Sequence, residues 1–259
     1  MSNSIEHNET VRREFTSQAT AYASNPVISD RERIDRFFQA VHPSSAACVL
    51  DLATGPGYVA MYFAERCREV TGIDLTAAPL ELANRMRDQR DQANLRFEQG
   101  DVARLPFSEG SFDVVICRFA LHHMLEPRAA LAEMARVCRA GGVAAVEDLV
   151  VSEHTARGAY QNRVETLRDS SHVRALPLSE LLILFAREGL EVEAVYTSQL
   201  TPVVEQWIAN AHTPPERASE VRELVEDDEK SDLSGMRPFR RAGQLAFTQR
   251  TGAVIGRKL

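Results

Sequence analysis

The chain has 259 residues, of which 26% are charged, and a formal net charge of −7. That length allows one large α/β domain with a substantial core, and the acidic balance argues against a bulk nucleic-acid or anionic-membrane surface, which needs clustered Lys and Arg. The four cysteines, Cys48, Cys67, Cys117 and Cys138, include no C-x-x-C pair, so reduced thiols in a cytoplasmic protein are the simplest account. The start, MSNSIEHNETVRREF, lacks the apolar stretch of a secretory signal, and no apolar run approaches the roughly 18 residues of a spanning helix.

In chain order, residues 10–41 predict one or two amphipathic helices. From Cys48 to Val151 short β-branched runs alternate with longer amphipathic stretches, the pattern of βαβ units and a parallel sheet. Strands are expected at 47–52, 69–74, 94–98, 112–117 and 143–149, and helices at 57–66, 77–91 and 127–139. Pro127 near its start and Gly141-Gly142 at its stop bracket the last of these helices. Residues 152–187 predict helix, Glu191 to Thr197 a sixth strand, and 203–235 helix again with a solvated acidic run, Glu226-Asp227-Asp228-Glu229. Gln244 to Arg257 predicts a closing strand with a turn at Thr251-Gly252. The expected organisation is one domain over 1–259, with a helical cover at 1–45, a ligand-binding core at 46–150, and further strands with helical lid inserts at 151–259.

The stretch VLDLATGPGYVA, Val49 to Ala60, ends a strand in a glycine turn and satisfies the loose dinucleotide pattern G-x-G-x-x-A at Gly55, Gly57 and Ala60. Asp51 decides against a dinucleotide. At ~5 Å and an effective dielectric of ~20, an acid facing a pyrophosphate is opposed by a few kcal/mol per charge pair. The ammonium and sulfonium of S-adenosylmethionine would instead be attracted. Asp74, 19 residues past Gly55, suits ribose hydroxyls under either cofactor. Gly100-Asp101, an acidic turn at the same sheet edge, suits a purine amine and has no particular use with NAD. Asp74 and Asp101 are also ordinary helix-cap or turn residues.

These motifs resemble the class I S-adenosylmethionine-dependent methyltransferases, most closely the ubiquinone/menaquinone-biosynthesis-like small-molecule branch. The resemblance runs through VLDLATGPGYVA, EVTGIDLT, FEQGDVARLPFSEGSFDVVICRFALHHM and PRAALAEMARVCRAGG followed by VAAVEDLV, in order from Val49 to Val150, and more weakly through FTSQATAYAS and LRDSSHVRALPLSELLILFAREGL. It implies a Rossmann-like fold: a seven-stranded, mostly parallel sheet with an antiparallel last strand and a helical lid. It implies that Asp51, Gly55 and Gly57, with Ala53 where many members have glycine, cradle the methionine part. It further implies that Asp74 holds the ribose, Asp101 and the Val102 backbone meet the adenine, Leu75 packs on the adenine face, and Arg118 and Phe119 line the reactive end. The product would be S-adenosylhomocysteine, and no metal is implied.

Methyl transfer from a sulfonium asks the protein mainly to align the nucleophile and exclude water, and a phenol, enol or carbon acid would gain from a base. His122 and His123, after the fourth strand, and Asp148, ending the fifth, are the candidates, together with His172. The polar segment Arg168-Asp169-Ser170-Ser171-His172-Val173-Arg174 is expected to roof the acceptor site, with His172 and Arg168 or Arg174 facing it. A solvated connection is its plainer reading. Tyr22 and Trp207 are candidates to close the pocket, although core packing suits Trp207 better. The expected reaction is methyl transfer to a small organic O-, C- or N-nucleophile, aromatic, quinone-like or polyketide-like. The alternatives are a cofactor-binding protein using the sulfonium non-catalytically or for non-methyl-transfer chemistry and, less favoured, an NAD(P)-dependent oxidoreductase. No nucleic acid and no membrane span are expected as partners, and a homodimer is left open.

Overall fold

The computed structural model describes residues 2–23 and 25–259, without the side chains of residues 2–4 and 20–22. The expectation placed on Tyr22 lies outside the described residues.

Three helices precede the sheet: α1 (Ser2–Ala23), α2 (Pro26–Ser29) and α3 (Arg31–Val41). Their junctions follow from capping chemistry. The Asn25 side chain accepts from the Val27 amide ahead of Pro26, and Asp30 accepts from the Glu32 and Arg33 amides, meeting donors that a helix start leaves unpaired.

The main sheet strands are β1 (Cys48–Leu52), β2 (Glu69–Asp74), β3 (Leu95–Gln99), β4 (Phe112–Arg118), β5 (Cys138–Val151), β6 (Leu190–Leu200) and β7 (Gln249–Lys258). Their order is β3-β2-β1-β4-β5-β7-β6, with β7 antiparallel to both neighbours and the path from β3 to β5 parallel. This is the Rossmann-like arrangement the motifs implied. Between them run α4 (Tyr58–Ala64), α5 (Ala77–Gln89), α6 (Pro127–Val137), α7 (Thr155–Arg168), α8 (Leu178–Arg187), α9 (Val204–Asn210) and α10 (Pro215–Ser231).

Strand alternation divides the core in two. Leu50, Leu52, Val115, Cys117 and Val146 face α6 and α8 through Leu131, Met134, Leu181 and Phe185. Val49, Val114, Ile116 and Ala145 face α3 and α4 through Phe37, Met61 and Phe63. A third apolar cluster joins α7, α9 and α10 through Val164, Trp207, Val221 and Val225. Strand order reverses between β1 and β4, which places a ligand crevice outside their carboxyl ends.

Several details differ from the sequence reading: the 203–235 stretch is two helices, Gln244–Ala246 pairs with Phe239–Arg241 in a separate small sheet, and three further points bear on the packing. No turn forms at Thr251-Gly252, because both residues pair within β7. Gly252 is needed for close approach instead: a Cβ there would lie 2.9 Å from Val150 Cγ1. The acidic run is not wholly solvated, since Asp228 is buried and accepts hydrogen bonds from the amide and hydroxyl of Ser234, closing the chain after α10. The helical stretch 152–187 breaks at Asp169, and 169–177 forms the connection between α7 and α8. No helix among the described residues is long and apolar enough to cross a membrane.

Candidate active site

At the switch point lies a cavity of about 450 Å3, within the ~300–1,000 Å3 usual for small-ligand sites. The ends of β1, β2 and β4 each supply one wall. After β1 the chain turns sharply: Ala53 adopts φ 51°, Gly55 φ 54° and Gly57 φ 80°. The left-handed region is costly for alanine and free for glycine, so Ala53 holds this turn under strain. Gly57 has no such latitude, because a Cβ there would sit 2.5 Å from the Phe97 ring. Gly57→Ala is therefore expected to lower stability by about 1–3 kcal/mol, read as a fall in Tm, with weakened ligand binding through the displaced loop.

Asp74 closes the second wall. Its Oδ2 accepts from the Gly55 amide at 2.8 Å and its Oδ1 from the Thr76 amide at 2.9 Å, so strand β2 and the glycine loop share one carboxylate. Burial raises its pKa against the pull of these amides. Asp101, after β3, accepts from the Ala103 amide at 2.9 Å and from Asn8 Nδ2 at 3.1 Å. Leu75 and Val102 complete this side.

Asp51 lies beneath the loop and does not line the cavity. It is 2% exposed, accepts from Thr54 Oγ1 at 2.6 Å, and is pushed up to about 7 by burial, with that hydrogen bond opposing. Its charge can therefore reach a ligand only through the turn. Gly57 also stands behind the lining; Ala53, Gly55, Asp74, Leu75, Asp101, Val102, Arg118 and Phe119 are on it.

Arg118 ends β4 in a buried ion pair with Glu147, Nε to Oε2 2.7 Å, and its guanidinium lies 4.4 Å from the centroid of the Phe119 ring. Its Nη2 is buried without a hydrogen-bond partner among the described residues. An orphaned guanidinium donor on a cavity wall is costly unless an acceptor completes it. Phe119, at φ 53°, carries strain at the same corner.

Of the histidine pair, only His123 lines the cavity. His122 turns inward to Asp148, Nδ1 to Oδ1 2.5 Å, while Asp148 also accepts from the Leu121, His122 and Leu149 amides. Burial would push the His122 pKa down, but the Asp148 carboxylate outweighs it and the net direction is up; Asp148 moves down for the reciprocal reason. Asp148 thus fastens the loop that carries His123. His172 is buried, with Nε2 3.0 Å from Asn162 Oδ1, and burial pushes it down to about 2.

The other described acceptor-side candidates are not on the cavity lining. Arg174 makes a two-point surface ion pair with Glu180 at 2.8 and 2.6 Å. Arg168 bonds Asp169 at 3.2 Å and stands over Trp207 at 4.8 Å. Trp207 packs against Phe247 in the third apolar cluster. The 169–174 segment is drawn under the histidine loop rather than over the pocket, because the Val173 and Arg174 amides both donate to the His122 carbonyl.

The roof is instead α1, whose His7, Asn8, Val11 and Phe15 line the cavity at successive turns. Asn8 holds Asp101, and His7 Nε2 donates to the His123 carbonyl at 2.7 Å. In sequence, the spacing of Val11 and Phe15 was the one available signal, and it does not separate a roof from a core stripe.

A model described as "Methyltransferase domain" matches residues 50–146. The uncharacterized methyltransferase YcgJ of Bacillus subtilis is 30% identical over 207 residues, covering 80% of this chain and 82% of YcgJ. The chain belongs to the class I S-adenosylmethionine-dependent methyltransferases. This methyltransferase superposes on the crystal structure of YcgJ with a TM-score of 0.82 at 28% identity, over 87% of its own length and 97% of that chain. A demethylmenaquinone methyltransferase of Deinococcus radiodurans is 42% identical over 96 residues, 36% of this methyltransferase and 39% of that protein.

Proposed function

We propose that this methyltransferase acts on a small, largely apolar acceptor through an oxygen, carbon or nitrogen nucleophile, with an aromatic, quinone-like or polyketide-like scaffold. The observation that carries this reading is the cavity lining opposite the acidic strand ends. Val11, Phe15, Ile28, Phe119, Met124 and Leu125 supply it, and Arg118 is the one Arg or Lys side chain on the described lining. Such walls favour an apolar body and offer little to a phosphorylated or polyanionic acceptor. The similarity to demethylmenaquinone methyltransferases, which spans from about a third to half of either chain, supports a quinone-like ring.

The residues present fit the cofactor. The Asp74 carboxylate, which already takes the Gly55, Thr76 and Leu75 amides, would offer its remaining acceptor capacity to the ribose hydroxyls. Asp101 and the Val102 backbone would meet the adenine beside Leu75, and the Ala53–Gly57 turn would carry the methionine chain. The orphaned Nη2 of Arg118 would complete its hydrogen bonding on the methionine carboxylate. Bound there, the sulfonium supplies an electrophilic methyl group; the protein supplies alignment and a dry cavity.

Calorimetric titration with S-adenosylhomocysteine tests the cofactor half, with NAD and NADP as controls. Micromolar binding of the nucleoside and none of the dinucleotides is expected, and the reverse would sink the reading. Release of S-adenosylhomocysteine from S-adenosylmethionine, screened over hydroquinones, phenols and amines against sugar phosphates, tests the acceptor half. Turnover confined to the phosphorylated set would overturn the apolar assignment.

A further inference from the structure

The connection between α7 and α8 carries two polar side chains that the cofactor site does not use, Asp169 and Ser171, and they converge on His123. Asp169 Oδ1 accepts from the Ser171 hydroxyl at 2.6 Å and from the Ser171 amide at 2.9 Å. Burial works against the Asp169 charge, but the His123 ring, Arg168 and the two Ser171 hydrogen bonds outweigh it, holding the carboxyl well below the usual range. An ionised carboxylate only accepts. The single hydroxyl hydrogen of Ser171 is therefore committed to Asp169. Ser171 Oγ also lies 3.1 Å from His123 Nδ1. With its hydrogen spent, that oxygen can only accept, so Nδ1 must carry the proton.

A neutral imidazole has one N–H. His123 is neutral near pH 7, because burial and the neighbouring His122 push its pKa down to about 4. The ring sits among His122 and His172, at centroid separations of 4.1 and 6.4 Å, with Phe15 of α1 edge-on at 5.1 Å and Asp148 behind His122. His7 of α1 reaches only its backbone carbonyl. The Ser171 backbone also bonds the ring, no described side chain is hydrogen-bonded to Nε2, and His123 lines the cavity.

We propose that Ser171 and Asp169 lock His123 as the Nδ1–H tautomer, so that the bare Nε2 lone pair selects methyl acceptors whose nucleophilic atom carries a proton, above all a phenolic or enolic hydroxyl. Ser171 and Asp169 are positioning residues, acting through the ring. The hydrogen bond from the hydroxyl to Nε2 turns an oxygen lone pair toward the transferable methyl and rewards a protic acceptor over its alkylated isostere, because a buried acceptor left unpaired is costly. This rests on the proposed methyl-transfer reading of the cavity and narrows its substrate class.

The test is long-range proton–nitrogen spectroscopy on protein labelled with 15N-histidine, at pH 7, with and without S-adenosylhomocysteine. His123 is expected to show a protonated Nδ1 and a bare Nε2 in both samples. Ser171→Ala should move the proton to Nε2, and Ser171→Thr should restore the wild-type pattern. A wild-type ring protonated on Nε2, or one indifferent to Ser171→Ala, overturns the lock even if the alanine variant is poorly folded, since the first readout needs no variant. Phenol and anisole then serve as probes. Phenol is expected to shift the Nε2 resonance at least tenfold more strongly than anisole at equal concentration; equal shifts, or none from either, overturn the selectivity. Loss of nucleoside binding with the tautomer intact would count against the cofactor reading alone.

Discussion

Asp74→Asn is expected to weaken S-adenosylhomocysteine binding by roughly 30- to 1,000-fold while leaving a folded protein. The carboxylate ties the glycine turn to the segment after β2, through the Gly55 and Thr76 amides. An asparagine there must present an NH2 to one of those two amides, donor against donor, or swing away and release both. Each hydrogen bond to a charged acceptor contributes about 1.5–3 kcal/mol. Losing one or two of them on the ribose gives about 2–4 kcal/mol, which is the fold-change above. The pH dependence carries the same sign. Burial raises the Asp74 pKa, and the protonated acid gives up an acceptor site, so affinity should fall as pH drops through that raised value and should not fall in the variant. Calorimetry at several pH values reads both effects. Wild-type affinity in the variant would remove Asp74 from the ribose site.

The same residue shows what the sequence made legible. Asp74, Asp101 and Arg118 each stand at the carboxyl end of a strand that a short β-branched run had already marked, and a parallel sheet brings such ends to one edge regardless of the rest of the fold. Asp51 satisfied the same rule, yet it lies under the turn, because the left-handed residues Ala53 and Gly55 lift the backbone over it. Local pattern gives the strand end but not the path of the loop beyond it. The acceptor side was less legible still. The polar density of 168–174 marked the segment as unusual, but its direction is set by two amides bonding the His122 carbonyl, a contact across more than fifty residues. The α1 roof depends on Asn8 meeting Asp101, and no periodicity within either segment encodes that meeting.

Asp148→Asn is expected to cost about 3–5 kcal/mol of stability, the usual loss when one partner of a buried ion pair is removed. At ~2–4 °C per kcal/mol for a chain of this size, Tm should fall by roughly 6–20 °C. His122 and Asp148 are both buried, and Asp148 also receives the Leu121, His122 and Leu149 amides, so the variant loosens the loop as well as the pair. The pH dependence separates these losses. His122 is raised on folding, so its share of the stability is complete below its unfolded pKa of ~6.5 and fades as pH rises through the folded value. Asp148 is lowered, so its share is complete above ~3.9 and fades as pH falls through the folded value. The difference in Tm between wild type and variant should therefore be greatest between about pH 4 and 6.5 and narrow on the alkaline side. Thermal melts from pH 5 to 9 measure it directly. A difference that stays constant across that range would mean that the loop amides, and not the charge on His122, account for the loss, and that His122 is held neutral beside the cavity.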